Sequence, residues 1–249
     1  MIRSETQGRI ARIELHRPEK KNALTAEAYG QLADALGAAD ADADVRVILL
    51  QGQPDCFTAG NDLADFVERP PHGDNATTWR FLQTLPRVEK PIVAAVGGPA
   101  VGVGTTMLLH CDLVYATPTA RFQLPFVSLG VVPEAGSTLL LPMLAGYQRA
   151  AELLLLGKPF TAEKAVEVGI VTAVVSQETL LAEAEKAAAA LAALPAESIR
   201  QTKRLMKGRY AGAVAQAIAE ESRVFRERLQ SPEAREIMRA FLEKRKPNL

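Results

Sequence analysis

Two almost entirely apolar runs, each followed by a glycine-containing turn, constrain the fold of this chain more than any other feature. They cover residues 45–50 and 91–96. Strands of this composition are typical of parallel sheets that are covered on both faces. Strand-like segments at 10–15, 113–116 and 171–175 alternate with helical patterns along the same part of the chain. This alternation predicts right-handed βαβ units, so the expected fold class is α/β.

The last quarter of the chain has a different pattern. Apolar residues recur at helical spacing over 180–194, 196–207 and 214–229, and Ser231-Pro232 is a helix start signal. We therefore predict an α/β core over residues 1–195 and a helical region over 196–249. Residues 91–109 carry no charge, but Gly98-Pro99 is a turn signal, so a buried strand, turn and helix fit better than a membrane span.

Composition excludes several classes of function. The 249 residues include 29 Lys and Arg against 29 Asp and Glu, so no overall charge favours nucleic acid or an anionic membrane. Cys56 and Cys111 are too few for a disulfide framework, and His16, His72 and His110 show no metal-ligand spacing. The first residues contain no apolar signal core. We expect a reduced, cytoplasmic protein without a metal.

Three loops contain the candidate chemistry. Residues 57–63 and 98–104 follow the two apolar strands, and open α/β sheets bind ligands at the carboxyl ends of strands. Gly60 allows a ligand to approach the backbone, and Asp62 can cap the next helix. Two such turns can aim two N–H groups at one enolate oxygen. Glu134 adds one carboxylate in an otherwise apolar loop. An oxyanion site combined with a single carboxylate predicts proton transfer next to a carbonyl.

These and other motifs resemble the enoyl-CoA hydratase/isomerase (crotonase) superfamily over nearly the whole chain. The matching segments are 21–24, 57–63, 90–96, 102–104, 111–113, 129–133 and 165–171. The resemblance implies a crotonase-like spiral of ββα units and a helical C-terminal region, 196–249, used in trimerisation. It also implies an acyl-CoA thioester substrate, no cofactor apart from the coenzyme A of that substrate, and a homotrimer or hexamer.

The resemblance also implies roles for individual residues. The oxyanion N–H groups would come from Asn61 and Val103, with Glu134 as the catalytic acid and base. The substrate-binding positions would be Ala23, Ala59, Gly60, Asp62, Leu63, Gly104, Thr106 and Phe126.

Two departures narrow the expected activity. Hydratases of this family use two glutamates, whose positions hold Thr106 and Phe126 in this chain. Glu134 instead falls where Δ3,Δ2-enoyl-CoA isomerases carry a single catalytic glutamate. We therefore expect conversion of a 3-enoyl-CoA to the trans-2-enoyl-CoA. A hydratase, a ring-acting acyl-CoA isomerase (which would carry aspartate at this position) and a non-catalytic acyl-CoA binder stay open as alternatives.

The C-terminal end is basic. From Arg200 onward the chain has 13 Lys and Arg against 6 Asp and Glu, and Arg200, Lys203, Arg204 and Lys207 form one stripe of a predicted helix. This stripe fits either the phosphates of coenzyme A or an ordinary solvated helix face.

Overall fold

The computed structural model describes residues 1–68 and 76–248, so His72 lies outside the described residues. The strands are β1 (Ile2–Gln7), β2 (Ile10–Leu15), β3 (Val47–Gln51), β4 (Ile92–Val96), β5 (Pro99–Val101), β6 (Leu113–Ala116), β7 (Arg121–Gln123), β8 (Phe160–Thr161) and β9 (Ala173–Val174). A larger sheet has the order β1-β2-β3-β4-β6-β9, and a smaller one has the order β5-β7-β8. Every neighbouring pair of the larger sheet is parallel except the β1–β2 hairpin.

Helices fill the connections and the C-terminal region. They are α1 (Ala26–Ala41), α2 (Leu63–Glu68), α3 (Thr77–Thr84), α4 (Val103–Thr106), α5 (Ser137–Ala145), α6 (Tyr147–Leu156), α7 (Ala162–Glu167), α8 (Leu180–Ala193), α9 (Ala196–Gly208), α10 (Ala211–Leu229) and α11 (Pro232–Leu242). Short 3₁₀ helices cover Pro18–Lys20, Leu85–Arg87, Met107–His110 and Val127–Leu129. The predicted α/β class is confirmed.

The central strands are apolar throughout because both faces of the sheet are buried. Ile48 and Leu50 of β3 point into the main core, whereas Val47 and Leu49 pack with residues of α8. The α8 residues in this second layer are Leu180, Ala184, Ala188 and Ala192. Alanines four residues apart let the helix lie close to the sheet. Strand β3 therefore needs apolar side chains at every position, as its sequence predicts.

A partly buried ion pair attaches the C-terminal helices to this sheet. The Nζ of Lys203 on α9 lies 2.7 Å from Asp112 Oδ2 and donates to the carbonyl of Lys90 at 2.6 Å. Lys207 donates to the carbonyl of His110 at 2.7 Å. Two of the four cations in the predicted basic stripe are therefore paired with groups of the core, Lys203 in a buried position and Lys207 in a partly exposed one.

The structure differs from the sequence expectations at several elements. Strand β1 was not predicted because its side chains are mostly exposed and polar, so only pairing with β2 makes it a strand. Strands β5, β7 and β8 contain two or three residues, too few to show a period. Helix α4 starts at Val103 with Gly102 as its N-cap, and the chain continues as a 3₁₀ helix from Met107.

In the described ranges, no helix is both long and apolar enough to cross a membrane. The uncharged stretch 91–109 forms β4, β5, α4 and part of a 3₁₀ helix, as its turn signal predicts. The division at residue 195 falls between α8 and α9. A trimerisation role for residues 196–249 stays a prediction.

Candidate active site

The turn after β3 is held by side chains that its own loop and the preceding loop supply. Asn22 donates from Nδ2 to the carbonyls of Cys56 and Phe57, both at 3.0 Å. The Thr58 hydroxyl donates to the Asn22 carbonyl at 2.7 Å and accepts from the N–H of Gly60 at 3.0 Å. These bonds fix the backbone up to Gly60 and so determine where the next peptide points.

The turns after β3 and β4 run side by side. Thr58 and Ala100 form a parallel bridge, and the N–H of Val101 donates to the Thr58 carbonyl at 3.0 Å. Gly60 has φ +86°, and a Cβ there would lie 2.6 Å from the Val101 carbonyl oxygen. Only glycine allows so close an approach with this backbone conformation.

The two predicted oxyanion residues follow at equivalent points of these turns. Asn61 comes directly after Gly60, and Val103 is the first residue of α4. Within residues 1–68 and 76–248, neither backbone N–H has a hydrogen-bond acceptor. Both groups are therefore without an internal partner, as an oxyanion site requires, and their role as oxyanion donors stays a prediction.

A cavity of about 640 Å³ opens beside Asn61. It is lined by seven of the predicted site residues, which are Ala23, Ala59, Gly60, Asn61, Asp62, Leu63 and Phe126. Side chains of α11, among them Met238 and Phe241, close another wall. The C-terminal helices therefore contribute to the site as well as the α/β core.

Four predicted residues lie outside that lining: Val103, Gly104, Thr106 and Glu134. All four are buried. A Cβ at Gly104 would lie 2.5 Å from Thr58 Cγ2, so this glycine lets α4 pack against the neighbouring turn. Substrate contact by Gly104 and Thr106 stays a prediction.

Asp62 has a structural role, as the sequence indicates. Its Oδ1 accepts from the N–H groups of Ala64 and Asp65, both at 3.2 Å, and so caps α2. Its Oδ2 lies 2.7 Å from Arg17 Nη1. Asp62 thus stabilises the start of α2, which lines the cavity, and links it to the loop that follows β2.

Glu134 lies in the loop between the 3₁₀ helix at Val127–Leu129 and α5. Glu134 is only 1% exposed, and neither of its carboxyl oxygens has a hydrogen-bond partner among the described residues. Burial, followed by the charge of Glu221, raises the pKa of Glu134 from 4.5 to about 8. A carboxyl group in such surroundings holds a proton near neutral pH and is a strong base once it has lost it.

Tyr29 is a neighbour of the candidate site that the sequence reasoning missed. It is fully buried on α1, and its hydroxyl donates to Oδ1 of Asn61. Burial raises the pKa of Tyr29, and the nearby charge of Glu134 adds to that rise. Tyr29 therefore lies between the proposed acid and the oxyanion turn. In the sequence, Tyr29 falls in line with the apolar residues of the buried face of α1. The only indication of another role is its hydroxyl, which needs a hydrogen-bond partner when it is buried.

The turn of Glu134 contains strained backbone. Ala135 has φ +62°, and Gly136 follows with φ +73°. Nε2 of the buried His110 donates to the Ala135 carbonyl at 2.7 Å. Burial lowers the pKa of His110 to about 4, so the ring is neutral and serves as a fixed donor. A non-glycine residue in the left-handed region persists only where such contacts hold it.

A second cavity, of about 470 Å³, lies next to the residues that hold this turn. Its walls include His110, Tyr210, Val214 and Ile218, and none of the predicted site residues lines it. In the described part of the chain, no three His, Cys, Asp or Glu side chains are grouped so that they could bind a metal ion.

Comparison with known proteins identifies the family of the chain. Residues 5–249 match the sequence model of the family described as enoyl-CoA hydratase/isomerase. Enoyl-CoA delta isomerase 2 of Homo sapiens is 35% identical over 243 residues, which make up 95% of this chain but only 61% of the human protein. The 1,2-epoxyphenylacetyl-CoA isomerase of Escherichia coli (strain K12) is 35% identical over 253 residues, covering 99% of this chain and 97% of that enzyme. The structure of Pseudomonas aeruginosa OdaA has a TM-score of 0.94 and 45% identity, and the match covers 97% of this chain and 98% of that one. The chain therefore belongs to the enoyl-CoA hydratase/isomerase family.

Proposed function

We propose that this protein is an enoyl-CoA isomerase that moves a double bond from C3 to C2 of an acyl-CoA thioester. The observation that carries the proposal is the state of Glu134: a single buried carboxyl group without a partner in the described chain, with a pKa raised to about 8. Such a group can accept a proton from carbon and return it. The human relative is named an isomerase, and this chain spans less than two thirds of its length.

The reaction needs two proton transfers and one stabilised anion. Ionised Glu134 takes the proton from C2, and the electron pair moves into the thioester to give a dienolate. The N–H groups of Asn61 and Val103 stabilise the dienolate oxygen, by roughly 3–4 kcal/mol for each donor if they act as in acyl-transfer enzymes. Glu134 then returns the proton to C4, so no other acid, metal or cofactor is required.

The same residues argue against hydration. A hydratase of this family would need carboxylates at Thr106 and Phe126, and these side chains have no acidic group. Phe126 is buried and forms part of the cavity wall, so it excludes water from that position. Proton transfer without water is the chemistry that these side chains support.

Parallel assays with two substrates test the proposal. We expect purified protein to convert a medium-chain 3-enoyl-CoA to the conjugated 2-enoyl thioester, and to hydrate a trans-2-enoyl-CoA much more slowly. Absorbance of the conjugated thioester measures both reactions, because it rises in the first and falls in the second. Fast hydration would contradict the single-carboxylate mechanism.

A ring-acting isomerase is the second candidate. The Escherichia coli relative named 1,2-epoxyphenylacetyl-CoA isomerase matches along nearly its full length, unlike the human isomerase. Activity on a cyclic or epoxidised aryl-CoA, together with none on a linear 3-enoyl-CoA, would favour this candidate.

We also propose that the chain forms a homotrimer or hexamer. Large apolar side chains are exposed on α6 and α9, with Tyr147 at 71%, Leu155 at 63% and Leu205 at 78%. Exposed apolar side chains of this size are typical of protein interfaces. We expect sedimentation to give three or six times the chain mass of 26.8 kDa, and a species of one chain mass would contradict assembly.

A further inference from the structure

A carboxylate from the C-terminal helices holds the turn that carries Glu134. Glu221 lies on α10 and is buried. Its oxygens accept from the backbone N–H of Gly136 at 2.6 Å, from the backbone N–H of Thr138 at 2.9 Å and from the Thr138 hydroxyl at 2.6 Å. Glu221 therefore fixes the end of the turn and the beginning of α5 together.

The two buried carboxyl groups have unequal surroundings. Glu221 receives three hydrogen bonds, two of them from N–H groups that can only donate, and this favours its ionised form. Burial raises the pKa of Glu221, and the three hydrogen bonds oppose that rise. Glu134 receives no donor from the described residues. The pair therefore places the negative charge on Glu221 and the proton on Glu134.

We propose that Glu221 is a positioning residue for Glu134, which it serves by anchoring the turn and by making the neighbouring carboxylate a stronger base. The inference rests on the proposed function of Glu134 as the proton carrier. The hydrogen bonds of Glu221 go to Gly136 and Thr138, so its effect on turnover passes through the turn and the start of α5.

Other groups that face this turn do not supply the same effect. Tyr29 on α1 keeps its proton, because burial and the charge of Glu134 raise its pKa. His110 is already neutral where Glu134 titrates, since its pKa is lowered to about 4. Lys203 and Lys207 lie near His110, and both are paired with a carboxylate of the core.

Adjacent glutamates of α10 provide a matched pair of variants. Glu221→Gln removes the buried charge, whereas Glu220→Gln removes an exposed one that is paired with Arg223. In the wild type, kcat/KM should rise with pH as Glu134 loses its proton, with a midpoint near pH 8. Loss of the Glu221 charge makes Glu134 easier to ionise, so Glu221→Gln should move this midpoint down by about one pH unit and lower kcat by roughly threefold to tenfold. Glu220→Gln should change neither quantity.

Infrared difference titration gives a second readout that does not depend on turnover. The carboxyl band of Glu134 is identified by its absence in Glu134→Gln, and its pKa is then compared between wild type and Glu221→Gln. An active protein in which that pKa is the same in both overturns the role of Glu221. A protein that shows the shift but isomerises neither linear nor cyclic substrates overturns the proposed function alone.

A second substitution keeps the anchoring testable if Glu221→Gln does not fold. Glu221→Asp keeps the negative charge, but the side chain is one methylene shorter, so the carboxylate lies farther from the N–H groups of Gly136 and Thr138. We expect a lower kcat, an unchanged KM and a pH midpoint close to that of the wild type. A kcat equal to that of the wild type would overturn the anchoring.

Discussion

Replacing Glu134 with glutamine is expected to lower isomerase kcat by roughly 10³- to 10⁴-fold, because it removes the one group that can carry the proton between C2 and C4. The amide has nearly the same shape as the carboxyl group, so the turn should keep its form. Acyl-CoA affinity, measured by calorimetry, should stay within about threefold of the wild type, because the substitution preserves the shape of the side chain and removes only its ability to carry the proton.

The same substitution should affect stability in a pH-dependent direction. In the folded protein the pKa of Glu134 is about 8, against an ordinary value of 4.5. The unfolded chain therefore releases this proton first, and the wild type loses stability as pH rises from about 4.5 to about 8. Glutamine does not titrate, so Glu134→Gln should gain on the order of a few kcal/mol relative to the wild type between pH 4 and pH 8. Thermal melting at the two pH values measures this gain.

Two results would contradict this account of Glu134. A variant that keeps more than about a tenth of the wild-type kcat would mean that another group carries the proton. A stability difference between variant and wild type that does not change with pH would mean that Glu134 has the same pKa in the folded and unfolded protein. Glu220→Gln serves as the control for both measurements, since that carboxylate is exposed.

The fold was predictable from sequence wherever burial leaves a periodic or continuous pattern. Strand β3 was expected at 45–50 and is found at Val47–Gln51, because both of its faces are covered and each position must be apolar. The short strand β7 was not expected, because pairing with β5 and β8 defines it and three residues show no period.

The candidate site also contains features that the sequence predicts and contacts that it does not. The two neighbouring turns that contain Asn61 and Val103 could be predicted, because they need glycines whose positions are visible in the sequence; the oxyanion role of the two residues stays a prediction. The contacts of Tyr29 and Glu221 could not be predicted, since their partners lie 32 and 85 residues away. A hydroxyl or carboxylate on an otherwise apolar helix face says that a partner exists but not which one.

Gly60→Ala is expected to lower kcat by roughly 10²- to 10³-fold, the effect of losing one oxyanion donor. The new Cβ would lie 2.6 Å from the carbonyl oxygen of Val101, and φ at this position is +86°. The turns that carry Asn61 and Val103 would have to separate or rotate to relieve the contact. If the N–H groups of Asn61 and Val103 bind one oxygen as proposed, this change would misalign them, so kcat should fall more than substrate affinity.

Gly8→Ala is the matched control for this second substitution. Gly8 also has a positive φ, +60°, but no atom lies within 4 Å of its added Cβ, and it belongs to the distant hairpin of β1 and β2. We expect it to lose about 1 kcal/mol of stability from backbone strain alone and to keep the wild-type kcat. Steady-state kinetics and thermal melting of both variants distinguish the effect of backbone strain on stability from the effect of misaligned turns on turnover. Equal kcat values for Gly60→Ala and the wild type would show that the two turns do not form a shared oxyanion site, because the contact between them would then be irrelevant to turnover.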